Sequence, residues 1–369
     1  MPADSAVSKR HVFYIPGFDP RGARHYHALY RENAVLQSNV NGWPLDVGNR
    51  RNAGGHVHRW TVRGDGVETT YDYLAWDDIV RANWRGGVKA RLRDVLNAYA
   101  PRVMADLVPP IARRSPRRLL AGFYPLAYLL ALCASCVAVF TVIAGMGQWS
   151  AASVAGAAAA AVLLWLGGAV LGQRLAVFWL LKIYSFCARW GGGKIPAMDA
   201  RAALFAAHIT RALEENDAQE IMVVGHSVGA ILSVPVCAKV LERSDRPFVL
   251  VTLGQSIPLA SLQGAAKNIR ESLDRVAMAK NVFWIDYSAP GDGACFPLMK
   301  ITEEGGPLAL SPRFFRLYEP GKYRRMRYRW YRMHFLYLMA GDYAGAYDYF
   351  LMTAGPRSLR ARLAEQGAA

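Results

Sequence analysis

The chain has 369 residues, carries a formal net charge of +16, and is 53% hydrophobic. That length suits one large domain or two modest ones, and the apolar share exceeds the ~45–50% usual for soluble domains. Lys and Arg cluster beside apolar segments, which argues for phospholipid headgroups as the anionic partner, and no nucleic-acid motif occurs. The five cysteines (Cys133, Cys136, Cys187, Cys237, Cys295) form no spaced framework, so they read as reduced thiols on a cytosolic face. Cys133 and Cys136 make a CxxC inside an apolar helix, where they read as small packing residues.

The opening "MPADSAVSKRHVFYIPGF" has no long apolar core and no cleavage site, so no signal peptide is expected. "HVFYIPGF" (11–18) is a β-rich run ending in Pro-Gly, and "RGARHYHALYRENAVL" (21–36) reads as a helix. "HVHRWTV" (56–62) and "VETTYDYLAW" (67–76) read as strands, and residues 78–100 as a helix.

From Leu119 to Gln173 there is no charged residue. A helix needs about 20 apolar residues to cross the hydrocarbon of a bilayer, so two spans fit, at about 119–144 and 152–173. "GMGQWSAAS" separates them, with Trp149 as an interfacial anchor, and the Gly- and Ala-rich second span suits a tightly packed hairpin. "RRSPRR" (113–118) precedes the spans, and Arg174, Lys182 and Arg189 follow. Basic flanks prefer the cytoplasm, so both termini and the folded domain are expected on the cytoplasmic side of a bacterial-type inner membrane. "LAVFWLLKIYSFCARW" (175–190) has an interfacial composition. The expected division is 1–112, 113–190 (hairpin and flanks) and 191–369.

"MDARAALFAAHITRALEEN" (198–216) reads as a helix with Leu204, His208 and Leu213 on one face. "EIMVVGHS" (220–227), "PFVLVTLG" (247–254) and "NVFWIDYS" (281–288) are continuous apolar runs of the doubly buried kind. Strands alternating with helices predict an α/β fold with a mostly parallel sheet flanked by helices, and the membrane hairpin inserted before strand 220–227.

Gly225-His226-Ser227-Val228-Gly229 matches G-x-S-x-G after a buried strand and before a helix, the context of a nucleophile elbow. A sharp corner there strains the serine, and side chains two residues away on either side would clash. The N–H of Val228 then sits at a helix N-terminus, where it can stabilise an oxyanion.

On this elbow and its flanks, roughly over residues 11–100 and 198–345, the chain resembles the α/β-hydrolase superfamily, particularly lipase- and esterase-like members with G-H-S-x-G. The resemblance implies a serine hydrolase whose partners follow in the order Ser, Asp or Glu, His. Of eight histidines only His334 follows Ser227 with room for an acid between, whereas His226 adjoins the serine and cannot reach its hydroxyl. His334 is thus the expected base. The acid is expected from "NVFWIDYSAPGDGACFP": Asp292, in the turn past the strand, with Asp286 as the alternative. The second oxyanion donor is expected from "IPGFDPRG", at the N–H of Phe18, a departure from the lipase HGGG pattern. If strand 11–18 matches the family's third strand, "HVHRWTV" becomes an added edge strand.

The expected activity is cleavage of an ester or thioester, lipid-derived because of location, with a small acyl substrate and membrane lipids as partners. The alternatives are a catalytically inactive α/β-hydrolase-like membrane scaffold and a component of a transport or envelope assembly with a chance elbow. No cofactor or metal is expected: there is no HExxH and no P-loop, and "GGGK" (191–194) reads as a linker. Finally, "SPRFFRLYEPGKYRRMRYRWYRMHF" (311–335) alternates Arg with aromatics up to His334, and reads as an inner-leaflet surface.

Overall fold

Apolar runs long enough to be covered on both faces build the middle of the sheet. The computed structural model describes residues 6–84, 86–215 and 217–367, so the first five residues of the opening segment lie outside the described residues. In chain order, β1 (Lys9–Ile15) leads through a loop to α1 (Gly22–Asn41). The strands β2 (Asp46–Val47), β3 (Arg51–Gly54), β4 (Val57–Gly64) and β5 (Val67–Leu74) follow, then α2 (Asp77–Asn83).

The chain divides into two compact units, one of residues 1–85 with 187–369 and the other of residues 86–186. The second unit opens with α3 (Val88–Ala98) and α4 (Pro101–Arg114), followed by α5 (Arg117–Met146), α6 (Ala151–Arg174) and most of α7 (Val177–Gly191). The helix expected over 78–100 is therefore broken near Gly86 and Gly87, and α3 and α4 join the hairpin instead of the N-terminal part. Side-chain bonds account for this: Ser185 donates to Asp94 at 2.9 Å, and Tyr99 donates to the Gly122 carbonyl at 2.8 Å.

Helices α5 and α6, 30 and 24 residues, are each long and apolar enough to cross a membrane. They pack on one another through small residues. A Cβ added to Gly168 would lie 2.4 Å from Leu132, and Tyr128 donates to the Gly168 carbonyl at 2.6 Å. Gln148 and Trp149 turn the chain with positive φ, and Ser150 caps α6 by accepting from the N–H of Ser153.

The first unit continues with α8 (Ala197–Glu215), β6 (Glu220–His226), α9 (Val228–Leu241) and β7 (Phe248–Leu253). Then come α10 (Pro258–Ser261), α11 (Lys267–Met278), β8 (Val282–Tyr287) and β9 (Leu308–Leu310). The short helices α12 (Pro320–Met326), α13 (Trp330–Phe335), α14 (Tyr349–Ala354) and α15 (Leu359–Glu365) complete it.

Among the described residues the sheet has nine strands in the order β2-β4-β5-β1-β6-β7-β8-β9, with β3 also on β4. It is mixed: the pairs from β5 through β9 are parallel, and all three pairs made by β4 are antiparallel. "HVHRWTV" is not the edge expected of it, because β2 and β3 cover its outer side. The face expected on α8 also differs: Met198, Ala202, Phe205, Ile209 and Leu213 are buried while Leu204 is exposed. Their three- and four-residue spacing keeps this stripe on one side of the helix.

Strands β1, β6, β7 and β8 run the same way, so their carboxyl ends share one edge and residues 16–21, 227, 254 and 288–295 gather there. Elsewhere, fully buried Asp72 of β5 ties three elements together. Arg59 of β4 donates to it twice, at 2.6 and 2.7 Å, and His11 of β1 and His208 of α8 approach at 3.0 and 2.8 Å.

Candidate active site

Strand β6 is buried at all seven positions, and the chain turns at its end directly into α9. Ser227 takes the corner with φ 60° and ψ −123°, a region L residues avoid at a cost of about 1–3 kcal/mol. The corner is held from both sides: the N–H of Ser227 donates to the Leu253 carbonyl at 2.9 Å, and its carbonyl accepts from Ala230 at 3.0 Å. The two flanking glycines are needed for space. A Cβ on Gly225 would lie 2.8 Å from Ala230 Cα, and one on Gly229 would lie 2.3 and 2.4 Å from the carbonyl oxygens of Ile15 and Pro16. The first turn of α9 therefore sits against the loop after β1.

That loop reaches the serine. A Cβ placed on Gly17 would lie 3.0 Å from Ser227 Cβ and 3.4 Å from its Oγ. Trp76 Nε1 donates to the Pro16 carbonyl at 2.8 Å, and Phe18 is buried with its ring 5.3 Å from that of Trp84. Asp19 anchors the far end, accepting from the N–H and Nε of Arg21 at 3.0 and 2.9 Å and from Tyr26 at 3.1 Å. Burial alone would raise the Asp19 carboxyl, but the Arg21 guanidinium outweighs it and holds the group below the usual carboxylate range. Arg21 in turn lies over the rings of Phe335 and Tyr331, at 5.0 and 5.5 Å, which links the loop to α13.

Helix α13 carries His334, buried at 1% exposure. Its Nδ1 lies 2.7 Å from Oδ2 of Asp292, itself fully buried in the turn after β8. The same carboxylate accepts from the N–H of Ala294 at 3.0 Å and from Tyr337 at 3.2 Å. Burial pushes the Asp292 carboxyl up, yet the neighbouring His334 and these donors more than offset it, so it lies below its ordinary value. An ionised carboxylate only accepts, so Nδ1 carries the proton in neutral His334 and Nε2 carries the lone pair a general base needs.

His226, the residue before Ser227, donates from Nε2 to the main-chain carbonyl of His334 at 2.9 Å, and the two rings lie 4.9 Å apart. The end of β6 and the C-terminal turn of α13 thus meet through one side chain. Asp286 is engaged elsewhere: Thr252 donates to one of its oxygens at 2.7 Å and Ser288 to the other at 2.9 Å. Burial pushes its carboxyl up to about 7.

The residues expected at the site thus gather at one edge: Ser227 and Val228 at the corner, Gly17 and Phe18 beside them, and His334 paired with Asp292. Sequence reasoning missed Tyr337, Asp19, Arg21 and Trp76. Only Tyr337 left a trace, one helical turn after His334. Among the described residues, no group of three or more His, Cys, Asp or Glu is arranged to hold a metal ion. No protein-family model, curated protein or solved structure matches the chain.

Proposed function

We propose that this chain is a membrane-associated serine hydrolase of the α/β-hydrolase kind that cleaves an acyl ester or thioester. The observation that carries the reading is the strained Ser227 corner joined through His226 to a base that is itself paired to Asp292 at 2.7 Å. In the reaction, Ser227 Oγ attacks the acyl carbonyl carbon while its proton passes to Nε2 of His334. The oxyanion accepts from the N–H groups of Val228 and Phe18, each such donor contributing about 2.7–4 kcal/mol to transition-state stabilisation. The alcohol or thiol leaves with the proton from His334. Water then attacks the acyl-serine, His334 takes one of its protons, and the acid departs as Ser227 regains its hydrogen.

A fluorophosphonate probe tests the reading. The detergent-solubilised full-length chain is expected to be labelled, and Ser227→Ala to be unlabelled although folded. A folded wild-type chain that takes no label supports the inactive scaffold instead.

The lipid side of the proposal rests on the helices α5 and α6 and on residues 311–335. Arg313, Arg316, Arg324, Arg325, Arg327, Arg329 and Arg332 are exposed, and among the described residues none makes a salt bridge. Phe315, Tyr328 and Tyr331 are exposed among them, whereas Met326 and Met333 turn inward. Exposed arginines outside any salt bridge suit the phosphates of an anionic leaflet, each contributing about 1 kcal/mol near the surface. The reconstituted chain is therefore expected to hydrolyse a lipophilic ester faster in vesicles containing anionic lipid than in zwitterionic ones. Replacing Arg324, Arg325, Arg327 and Arg329 by Gln, or raising the salt, should remove the difference. Equal rates in both vesicles at low salt would discard the lipid-facing role of this segment.

A further inference from the structure

We infer that His226 is a positioning residue that sets where the base His334 stands relative to the nucleophile; the inference rests on the hydrolase reading. His226 closes β6 and is 1% exposed, with its ring among those of His334, Phe335 and Tyr337 at 4.9, 5.6 and 6.0 Å. A carbonyl can only accept, so the 2.9 Å contact with the His334 oxygen makes His226 the donor through Nε2–H. The last carbonyls of a helix lack partners within it, and His334 is the penultimate residue of α13. His226 supplies a partner there.

The base is therefore held at two points, one on its ring and one on its main chain. Asp292 holds its Nδ1, and His226 holds its main chain. Because His226 is covalently next to Ser227, this second hold fixes the elbow and α13 to each other. No other side chain described above bonds to α13 from a position adjoining the nucleophile.

Two further features separate this role from ring packing. Nδ1 of His226 is buried and has no hydrogen-bond partner among the described residues. A phenylalanine would fill the ring's place without burying an unpaired acceptor, so the donating N–H is what histidine adds. The ring also stays uncharged. Burial first, and then neighbouring His334, hold His226 down to about 3. A cationic neighbour would oppose the imidazolium that forms on His334 during proton transfer, and a neutral donor does not.

The test uses full-length protein, a chromogenic acyl ester and the fluorophosphonate probe. His226→Phe keeps the ring and loses the donor. His226→Gln presents its amide nitrogen where Nε2 was, whereas the shorter His226→Asn cannot reach the carbonyl. His226→Phe and His226→Asn are expected to lose about 10–100-fold in kcat with KM nearly unchanged, as for a misplaced catalytic group, and His226→Gln to recover most of the loss. Labelling rates should follow kcat. Wild-type kcat in His226→Phe or His226→Asn overturns the inference, as does equal loss in Gln and Asn, or a loss confined to KM. If His226→Phe does not fold, the Gln–Asn contrast decides alone. A wild-type chain that is never labelled defeats the hydrolase reading itself, a result separable from failure of the His226 contrast in an active enzyme.

Discussion

On the serine-hydrolase reading, Asp292→Asn is expected to cut turnover about 10⁴-fold without unfolding the protein, as loss of the orienting carboxylate does in a Ser-His-Asp arrangement. Asp292 accepts from Nδ1 of His334 at 2.7 Å, which places the lone pair on the opposite nitrogen. An amide can turn its NH₂ toward Nδ1, which moves the proton to Nε2 and removes the base. Because Asp292 sits below the ordinary carboxylate range, it remains an acceptor throughout the neutral and mildly acidic range. His334→Ala should be at least as damaging, since it removes the base itself. Asp286→Asn should retain near-normal turnover. Its carboxyl is raised to about 7 and meets two hydroxyl groups, so an amide of the same shape can stand in for the partly protonated acid. Steady-state kinetics on the three variants, with circular dichroism to verify folding, checks this. If Asp286→Asn loses more activity than Asp292→Asn while both fold, the acid is misassigned.

Asp72→Ala is expected to destabilise the first unit by about 3–5 kcal/mol, the range for removing one partner from a buried charged cluster. The change removes the carboxylate that Arg59, His11 and His208 share, and with it the bond that joins β1, β4 and α8 through β5. The pH dependence follows from the directions of the shifts. Asp72 is held well below its ordinary value by Arg59, His11 and His208 despite its burial. Its contribution is thus fully present above the ordinary carboxylate pKa and is lost as pH falls through the lower, folded one. His11 is depressed too, because burial outweighs Asp72, so the folded state resists protonating it and loses stability as pH falls below about 6.5. Both groups make the unit acid-labile. Urea unfolding followed by tryptophan fluorescence should show lower wild-type stability at pH 5.0 than at pH 7.5, through His11, and a further fall below about pH 4, through Asp72. A variant as stable as the wild type at pH 7.5 would mean the cluster contributes nothing net.

Where a feature is local, its residues carried it. The charge-free run from Leu119 to Gln173 became α5 and α6 within a few residues of the expected spans, because being long and apolar enough to cross a bilayer is a matter of length and composition. Strands β6, β7 and β8 were legible because a strand covered on both faces is mostly apolar, and β1 because its β-rich run ends in Pro-Gly. The elbow was legible for a steric reason, since Gly225 and Gly229 stand where any Cβ would strike backbone.

Short polar strands left no such signal. "RNAG" and Asp46–Val47 pair with β4 although neither alternates apolar and polar residues, and their pairing closed what had been expected to be an edge. Composition likewise assigned α3 and α4 to the N-terminal part, whereas their bonds tie them to the hairpin unit.

By itself, then, the sequence determined the apolar helical hairpin, the interior strands and the serine at a glycine-bounded corner. Each depends on residues within one or two turns of chain. Tertiary structure alone decided that Asp292 rather than Asp286 bonds His334, that His226 bonds the main chain of His334, and that Asp72 gathers Arg59, His11 and His208. Those contacts join residues 13 to 136 positions apart. No local pattern encodes which distant group comes to lie within 3 Å, since that follows from how strands and helices pack.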